Sequence, residues 1–314
     1  MTTSIPTVLI LGAQGRLGQA VTAAFAAAGW HVRGQSRRPE ARWPAGVESV
    51  LCDALRQEEV MRAARGVEVI VNALNPLYTE WERLARPLAA SALAAAETSG
   101  ATLMFPGNVY NFGKHLPPRL AAATPEIADT PKARIRIEIE RQMQAAALRG
   151  VNSVVVRAGD FFGGTGRGAW FDLVIAKSLA KGKLVYPGPI DLVHAWAYLP
   201  DLAQVFERLA ERRGELQGAQ GFHFGGHAVT GAELHKALEQ ACGRTLKLGN
   251  LPWSIIGLMA PFAPLMKATL EMRYLWQRPH ALEDGPLRAL LGKLPHTPLP
   301  EALVKALADL QQNP

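Results

Sequence analysis

Three glycines at three-residue spacing carry the first recognisable chemistry, in the segment Gly12-Ala13-Gln14-Gly15-Arg16-Leu17-Gly18. Glycine at these places permits a tight turn, clears side chains from where a pyrophosphate must approach, and lets a helix pack close to a strand. A helix that opens directly after the turn offers unpaired N–H groups to an anion. The spacing is Gly-x-x-Gly-x-x-Gly rather than Gly-x-Gly-x-x-Gly. A dinucleotide site selective for NAD places an Asp or Glu near the end of the second strand, on the ribose 2′-hydroxyl. Here that region reads Gln35-Ser36-Arg37-Arg38. It offers no acid, and Arg37 offers a guanidinium to a 2′-phosphate. NADP is therefore expected ahead of NAD. The competing reading is a glycine-rich turn with no ligand, which the strand, turn and helix context disfavours.

The elements that must hold this loop follow from the hydrophobic rhythm. Thr7–Leu11 reads as the strand that delivers the glycines, and Arg16–Ala28 as the helix behind them, ended by Gly29. Further strands are expected at His31–Gln35, Val47–Leu51, Val67–Val71, Ala101–Phe105 and Val151–Arg157. Helices are expected at Glu58–Ala64, Glu80–Ser99 and Lys132–Leu148, the last with Thr130 as N-cap and Pro131 at its first position. This alternation predicts a doubly wound, Rossmann-type α/β fold with a parallel sheet covered on both faces. After Arg157 the rhythm changes. Gly163, Gly164, Gly166 and Gly168 make a flexible loop, Trp170–Ala180 and Asp201–Arg212 read as helices, and Phe222–Phe224 as a short strand. Thr230–Ala241 opens with the capping pair Thr230 and Glu233. The division expected is a dinucleotide-binding domain over 1–160, with a return segment at 190–215, and a smaller C-terminal substrate domain over 161–314.

Composition sets bounds. Of the 314 residues, 48% are hydrophobic and 19% charged, the balance of a packed globule rather than of disorder. The formal net charge is +7, but the cations are dispersed and no nucleic-acid motif stands out. The excess suits an anionic cofactor or substrate equally well. Cys52 and Cys242 lie far apart and form neither a metal cluster nor a disulfide framework, so a reducing, cytoplasmic setting is expected. Met1–Pro6 lacks the features of a signal peptide. The apolar stretch Leu251–Met266 is too short for a comfortable membrane span and is broken by Pro252, Pro261 and Pro264. It reads as the buried part of a lid, with membrane-surface contact as the other reading. No metal-ligand spacing and no Ser–His–Asp order is found.

Taken together, these residues resemble the extended and atypical short-chain dehydrogenases/reductases of the NAD-dependent epimerase/dehydratase type, over the whole chain. Besides the glycine loop, Asp53 matches the acid after the third strand that meets the adenine. Asn72-Ala73 matches the turn beside the cofactor ribose. Asn108-Val109-Tyr110 with Phe112-Gly113 looks like the family's Val-Tyr-Gly segment. Val156-Arg157-Ala158-Gly159 and Phe162-Gly163 look like its arginine-and-glycine segment, and His194 to Tyr198 with Asp201 like its His-Val-x-Asp segment. The resemblance implies a hydride moved between nicotinamide and a carbonyl/alcohol carbon of a small molecule.

The proton-transfer positions depart from that pattern. The superfamily uses Ser/Thr, Tyr and Lys, the last two as Tyr-x-x-x-Lys on one helix face. Here Lys132 falls in the tyrosine position, Arg136 in the lysine position, and Pro106 or Gly107 in the Ser/Thr position. The resemblance then implies substitutes. Tyr110 would supply a phenol, Lys132 an ammonium proton, and Asn108 a hydrogen bond to the substrate carbonyl. Arg136 would hold ribose or phosphate, but it cannot deprotonate and so is no base. Other readings stay open. Lys132, Arg136 and Glu140 also fit an i, i+4 ladder on an exposed face, and Tyr110 a packed aromatic. The chain would then be a catalytically inactive NADP(H)-binding redox sensor, similar to nitrogen-metabolite-repression regulators, or a module with a vestigial loop. His194 reads as scaffold. Trp170, Phe171, Tyr186 and Trp196 would wall a substrate or fill a core. The partners expected are a small-molecule substrate and, as an open matter, a second copy of the chain, with no nucleic acid and no membrane.

Overall fold

The computed structural model describes residues 5–39, 41 and 43–312. Seven parallel strands form the central sheet: β1 Thr7–Leu11, β2 His31–Ser36, β3 Val47–Leu51, β4 Val69–Asn72, β5 Thr102–Gly107, β6 Ser153–Arg157 and β7 Ala219–His223. Their order across the sheet is β7-β6-β5-β4-β1-β2-β3. The chain runs outward from β1 through β2 to β3, then resumes on the other side of β1 with β4. This reversal opens a crevice at the carboxyl ends of β1 and β4, where Leu11 lies opposite Asn72.

Alternation along each strand sorts the core into two layers. Leu9, Leu11, Ile70, Leu103 and Phe105 face one side, with α2 Gln57–Ala63, α3 Trp81–Ser99 and α4 Pro131–Ala147. Val8, Ile10, Val69, Val71 and Met104 face the other, with α1 Arg16–Ala27 and α5 Leu199–Glu211. Because both faces are covered, β1, β4, β5 and β6 are buried throughout, and this explains their nearly unbroken apolar sequences. Local signals fix the helix ends. Gly29 takes φ +83° after α1 and Gly100 φ +75° after α3. Thr130 Oγ1 accepts from Ala133 N at 3.0 Å, with Pro131 in the first turn of α4.

Beyond β6 the chain forms small sheets that the hydrophobic rhythm did not reveal. Asp160–Phe162, Val193–Tyr198 and His227–Thr230 make a three-stranded sheet. Lys183–Tyr186 pairs with Lys247–Asn250. The return to the central sheet runs through α5 and β7, so the strand expected at Phe222–Phe224 is an edge strand of the main sheet beside β6. Val193–Tyr198, inside the expected return segment, belongs instead to the three-stranded sheet. The helix expected at Trp170–Ala180 is a π-turn, Phe171–Ile175, followed by 3₁₀ turns over Ala176–Lys181. α6 Gly231–Cys242 carries the full capping box of Thr230 and Glu233.

The stretch Leu251–Met266 folds into a hairpin of two short helices, α7 Trp253–Met259 and α8 Pro264–Glu271. It is not the buried element expected. Ile256 and Ala260 point inward, while Ile255, Leu258, Met259, Phe262 and Leu265 are exposed. Among the described residues no helix is long and apolar enough to cross a membrane.

Candidate active site

The glycine loop sits at the end of β1 with its geometry set by backbone and amide contacts. Gly12 takes φ +74°, and its N–H donates to Gln35 Oε1 at 2.9 Å. Gln35 Nε2 in turn donates to Cys52 O at 2.7 Å, so one buried amide ties the loop to β2 and β3. Nothing in the sequence distinguished Gln35 from a residue simply lacking the expected carboxylate. A Cβ on Gly18 would collide with Gly12 O, and one on Gly15 would lie 3.2 Å from the same oxygen. Gly15 is the extended N-cap of α1 and supplies no side-chain acceptor to the helix N-terminus. Gln14 and Gly15 are exposed, and Leu17 and Gly18 are buried in the helix–strand contact.

Arg16 turns away from the loop. Its guanidinium donates to Gly163 O at 2.8 Å and pairs with Asp172 Oδ2 at 3.0 Å. Asp172 also accepts from Gly168 N and Ala169 N. Thr165 and Gln19 are hydrogen-bonded, so the glycine-rich segment over 163–168 is strapped along the start of α1. Arg37 and Arg38 are exposed after β2, and Arg38 N donates to Ser36 Oγ. Asp53 Oδ1 accepts from Leu55 N at 3.0 Å, in the turn leading to α2. Asn72 is buried at the end of β4, where its Oδ1 accepts from Leu74 N, and Ala73 beside it is buried too.

The face of α4 overturns the exposed-ladder reading. Lys132, Arg136 and Glu140 are all buried. Arg136 lies between the rings of Trp81 and Phe105, 4.9 and 4.8 Å from their centroids, and donates to Pro106 O at 3.0 Å. Burial brings its pKa down to about 10, with Glu140 opposing that shift, and its Nε has no partner. The Lys132 ammonium is 2.6 Å from Glu271 Oε2, and the Lys132 backbone N–H reaches Glu271 Oε1 at 3.2 Å. Glu271, the last residue of α8, thus serves the N-terminus of α4. The same ammonium lies 5.0 Å from the ring centroid of Tyr78.

Two phenols meet at this point. Tyr110 OH and Tyr78 OH are 2.8 Å apart. Tyr110 follows β5 in the 3₁₀ turn Val109–Phe112, and Tyr78 opens the turn Tyr78–Glu80 after β4. Burial pushes Tyr78 up to about 12, with Asp160 adding to it, and Tyr110 well above its usual range. Both are neutral donors near neutral pH. Asn108 Oδ1 accepts from Tyr110 N at 3.0 Å, so that oxygen caps the turn rather than facing a substrate. The turn is anchored from below. Arg157 donates to Asn108 O at 2.7 Å and pairs with Glu140 at 2.8 Å, and Asn111 bonds Glu126 and Glu140.

A wall of aromatics faces these phenols. Trp170 lies 5.3 Å from Trp276 and 6.2 Å from Trp253. Phe171 and Trp196 instead pack with Phe162 in the core, and Tyr186 stands against Trp276. His194 is buried, 2.8 Å from Asp160 Oδ2 and stacked on Trp276 at 4.2 Å, which gives it scaffold contacts throughout. Sequence reasoning missed Tyr78, Glu271 and Asp160. Among the described residues no cluster of His, Cys, Asp and Glu could hold a metal.

Known proteins share this arrangement of elements. UDP-glucose 4-epimerase from Bifidobacterium longum, in complex with NAD+ and UDP, superposes with a TM-score of 0.77 at 14% identity, over 98% of this chain and 99% of that one. The Bordetella bronchiseptica enzyme WbmH in complex with NAD+ gives 0.75 at 16% identity, over 98% and 99%. UDP-N-acetylglucosamine 4-epimerase from Bacillus cereus gives 0.72 at 12% identity, over 96% and 98%. At such identities the likeness speaks for the fold. No curated protein matches the chain in sequence. The profile of the NAD dependent epimerase/dehydratase family matches residues 8–220, the stretch from β1 to β7 that builds the crevice. The chain belongs to that family.

Proposed function

We propose that the chain binds NADP(H) at the carboxyl ends of β1, β2 and β4 and acts as an oxidoreductase or epimerase on a small molecule with a carbonyl/alcohol carbon. The carrying observation is the loop itself: three glycines whose Cβ atoms would meet Leu74 or the loop's own backbone, a tight turn before a helix N-terminus with no side-chain cap. These residues fit a dinucleotide. Gly12, Gln14, Gly15, Arg16, Leu17 and Gly18 would take the pyrophosphate, Arg16 through its backbone N–H because its guanidinium is held by Asp172, with Arg37 on the 2′-phosphate, Asp53 on the adenine, and Asn72 and Ala73 on the ribose. Arg136, with its unpartnered Nε, would take the nicotinamide ribose. When bound, the nicotinamide supplies or accepts the hydride.

The chain's own residues handle the proton. Tyr78 and Tyr110 form a two-phenol relay that would donate to a developing alkoxide. Lys132 is committed to Glu271, so its part is to hold charge over the Tyr78 ring rather than to act as acid or base. Because two of the structural relatives are named for their action on UDP-sugars, a sugar nucleotide heads the substrate panel. A second reading is the catalytically inactive redox sensor. It is favoured by the way the two hydroxyls satisfy one another and the lysine is neutralised. Calorimetric titration with NADPH and NADH tests the cofactor. Single-turnover hydride transfer against a carbonyl panel, with Tyr78→Phe and Tyr110→Phe variants, separates the two readings. Tight NADPH binding with no turnover on any carbonyl selects the sensor, and no binding of either nucleotide discards both.

A further inference from the structure

We propose that the α7–α8 hairpin is a docking surface for an anionic lipid bilayer. Thirteen large apolar side chains are exposed in the described chain, and five of them, Ile255, Leu258, Met259, Phe262 and Leu265, fall within one eleven-residue stretch. Ile255, Leu258 and Met259 stand at i, i+3 and i+4 on α7, with Phe262 in the turn that follows, and all four face solvent while Ile256 and Ala260 face the protein. Phe262, at the turn between the helices, is 81% exposed and Leu258 73%. An apolar stripe turned outward on a short hairpin is unlike a monomer surface, whose apolar groups are scattered.

Charge selects the occupant. From Leu248 to Met266 no residue is charged, and from Gln240 to Leu270 none is acidic. The flanking charges are Arg244, Lys247 and Lys267, all exposed cations. A second copy docked face to face would set these cations against their own images. A bilayer with acidic headgroups offers the complement to both features, an apolar layer for the stripe and phosphates for the rim. The formal net charge of +7 acts in the same direction. The helices lie in the interface and do not span it, since α7 and α8 have 7 and 8 residues. Membrane-surface contact, the other reading of Leu251–Met266, thus takes the place of the expectation of no membrane partner.

The test is co-sedimentation of the full chain with vesicles of phosphatidylcholine alone and of phosphatidylcholine with phosphatidylglycerol, and needs no cofactor. Pelleting with the acidic vesicles is expected, with little on the neutral ones. Phe262→Asp with Leu258→Asp abolishes it at unchanged circular dichroism and melting temperature, since both side chains are in solvent. Lys267→Gln lowers the acidic-vesicle affinity about fivefold. Failure to pellet with either vesicle overturns the proposal. So does a soluble dimer that the Phe262→Asp variant splits, which assigns the surface to a second copy. Equal pelleting on both vesicles, indifferent to Lys267→Gln, overturns the electrostatic half.

Discussion

The glycine loop after β1 and the phenol cluster beside α4 are built by different means. The loop is held chiefly by backbone and amide contacts, a positive-φ glycine and an N–H to Gln35, with one charged brace from Arg16 to Asp172. Its shape is set within the β1–α1 turn, while Gln35, Leu74 and the segment from Gly163 to Asp172 brace it from outside. The phenol cluster is held by desolvated charge and aromatic faces, with Lys132 on Glu271, Arg157 on Glu140, Asp160 on His194 and Tyr78 on Tyr110. Its members come from six segments spread between Tyr78 and Glu271. A turn shaped by glycines is coded largely within one short segment, whereas a cluster of neutral phenols and paired charges must bury distant partners together. The second kind is sensitive to pH and to loss of a single partner.

Acid should expose that difference most strongly. Burial, with His194 second, holds folded His280 down at about 3, and burial, with His296 second, holds His227 at about 4. An unfolded imidazole titrates near ~6.5. Between these values the unfolded chain binds protons that the folded chain refuses. Stability is therefore full above the unfolded value and is lost as pH falls. At pH ~5 the two histidines together cost about 4 kcal/mol, measured by urea unfolding at neutral and acid pH. A flat profile would show that the histidines outside the central sheet are not held neutral.

The buried ion pair comes next. Glu271→Gln strands the Lys132 ammonium and should cost about 3 kcal/mol of stability, while Lys132→Met with Glu271→Leu recovers most of it. A cost below ~0.5 kcal/mol would put the pair with ordinary surface bridges. On the loop side, Gly15→Val should lower NADPH affinity roughly a hundredfold, about 2.7 kcal/mol, with the chain still folded and only a small drop in melting temperature, because its Cβ meets one close atom, Gly12 O at 3.2 Å. Unchanged affinity would remove the phosphate-loop assignment. Arg37→Glu should weaken NADPH about tenfold more than NADH, and equal losses would remove the preference for NADP. Smallest is Tyr110→Phe, which takes the partner from Tyr78 and should cost about 1 kcal/mol. NADPH binding should persist after this change, and a fall in nucleotide affinity would move Tyr110 to the cofactor side.

The same contrast decided what could be read from the residues alone. Gly12, Gly15 and Gly18 announce a close approach because few other needs put glycine there, and the strand and helix around them carry their own periodicities. α4 misled because Ile135, Ile137 and Ile139 alternate with Arg136, Glu138 and Glu140, which leaves the wet face undetermined. In the structure Arg136 and Glu140 are buried with the isoleucines and only Glu138 of these is exposed. Tyr78 and Glu271 carry no local mark at all. Their meaning lies in partners 32 and 139 residues away along the chain. The outward stripe of α7 was legible as apolar, but a helix records its period and not which side the protein covers.

Glu271 also has a bearing on how the molecule comes together in time. The contact that seats it on Lys132 closes a loop of 139 residues, across every element from α4 to α8. Such long closures carry a large entropy cost before they are rewarded, so they form late. Strands β1 to β6 can gather while the Lys132 ammonium is still hydrated, and the lysine loses its water only as α8 arrives. A chain stalled short of Glu271 would hold a sheet and a glycine loop with the aromatic wall unmade. Refolding followed by two probes would then separate: a dinucleotide reporter at the loop recovering first, and Trp253, Trp170 and Trp276 fluorescence at the wall recovering after it.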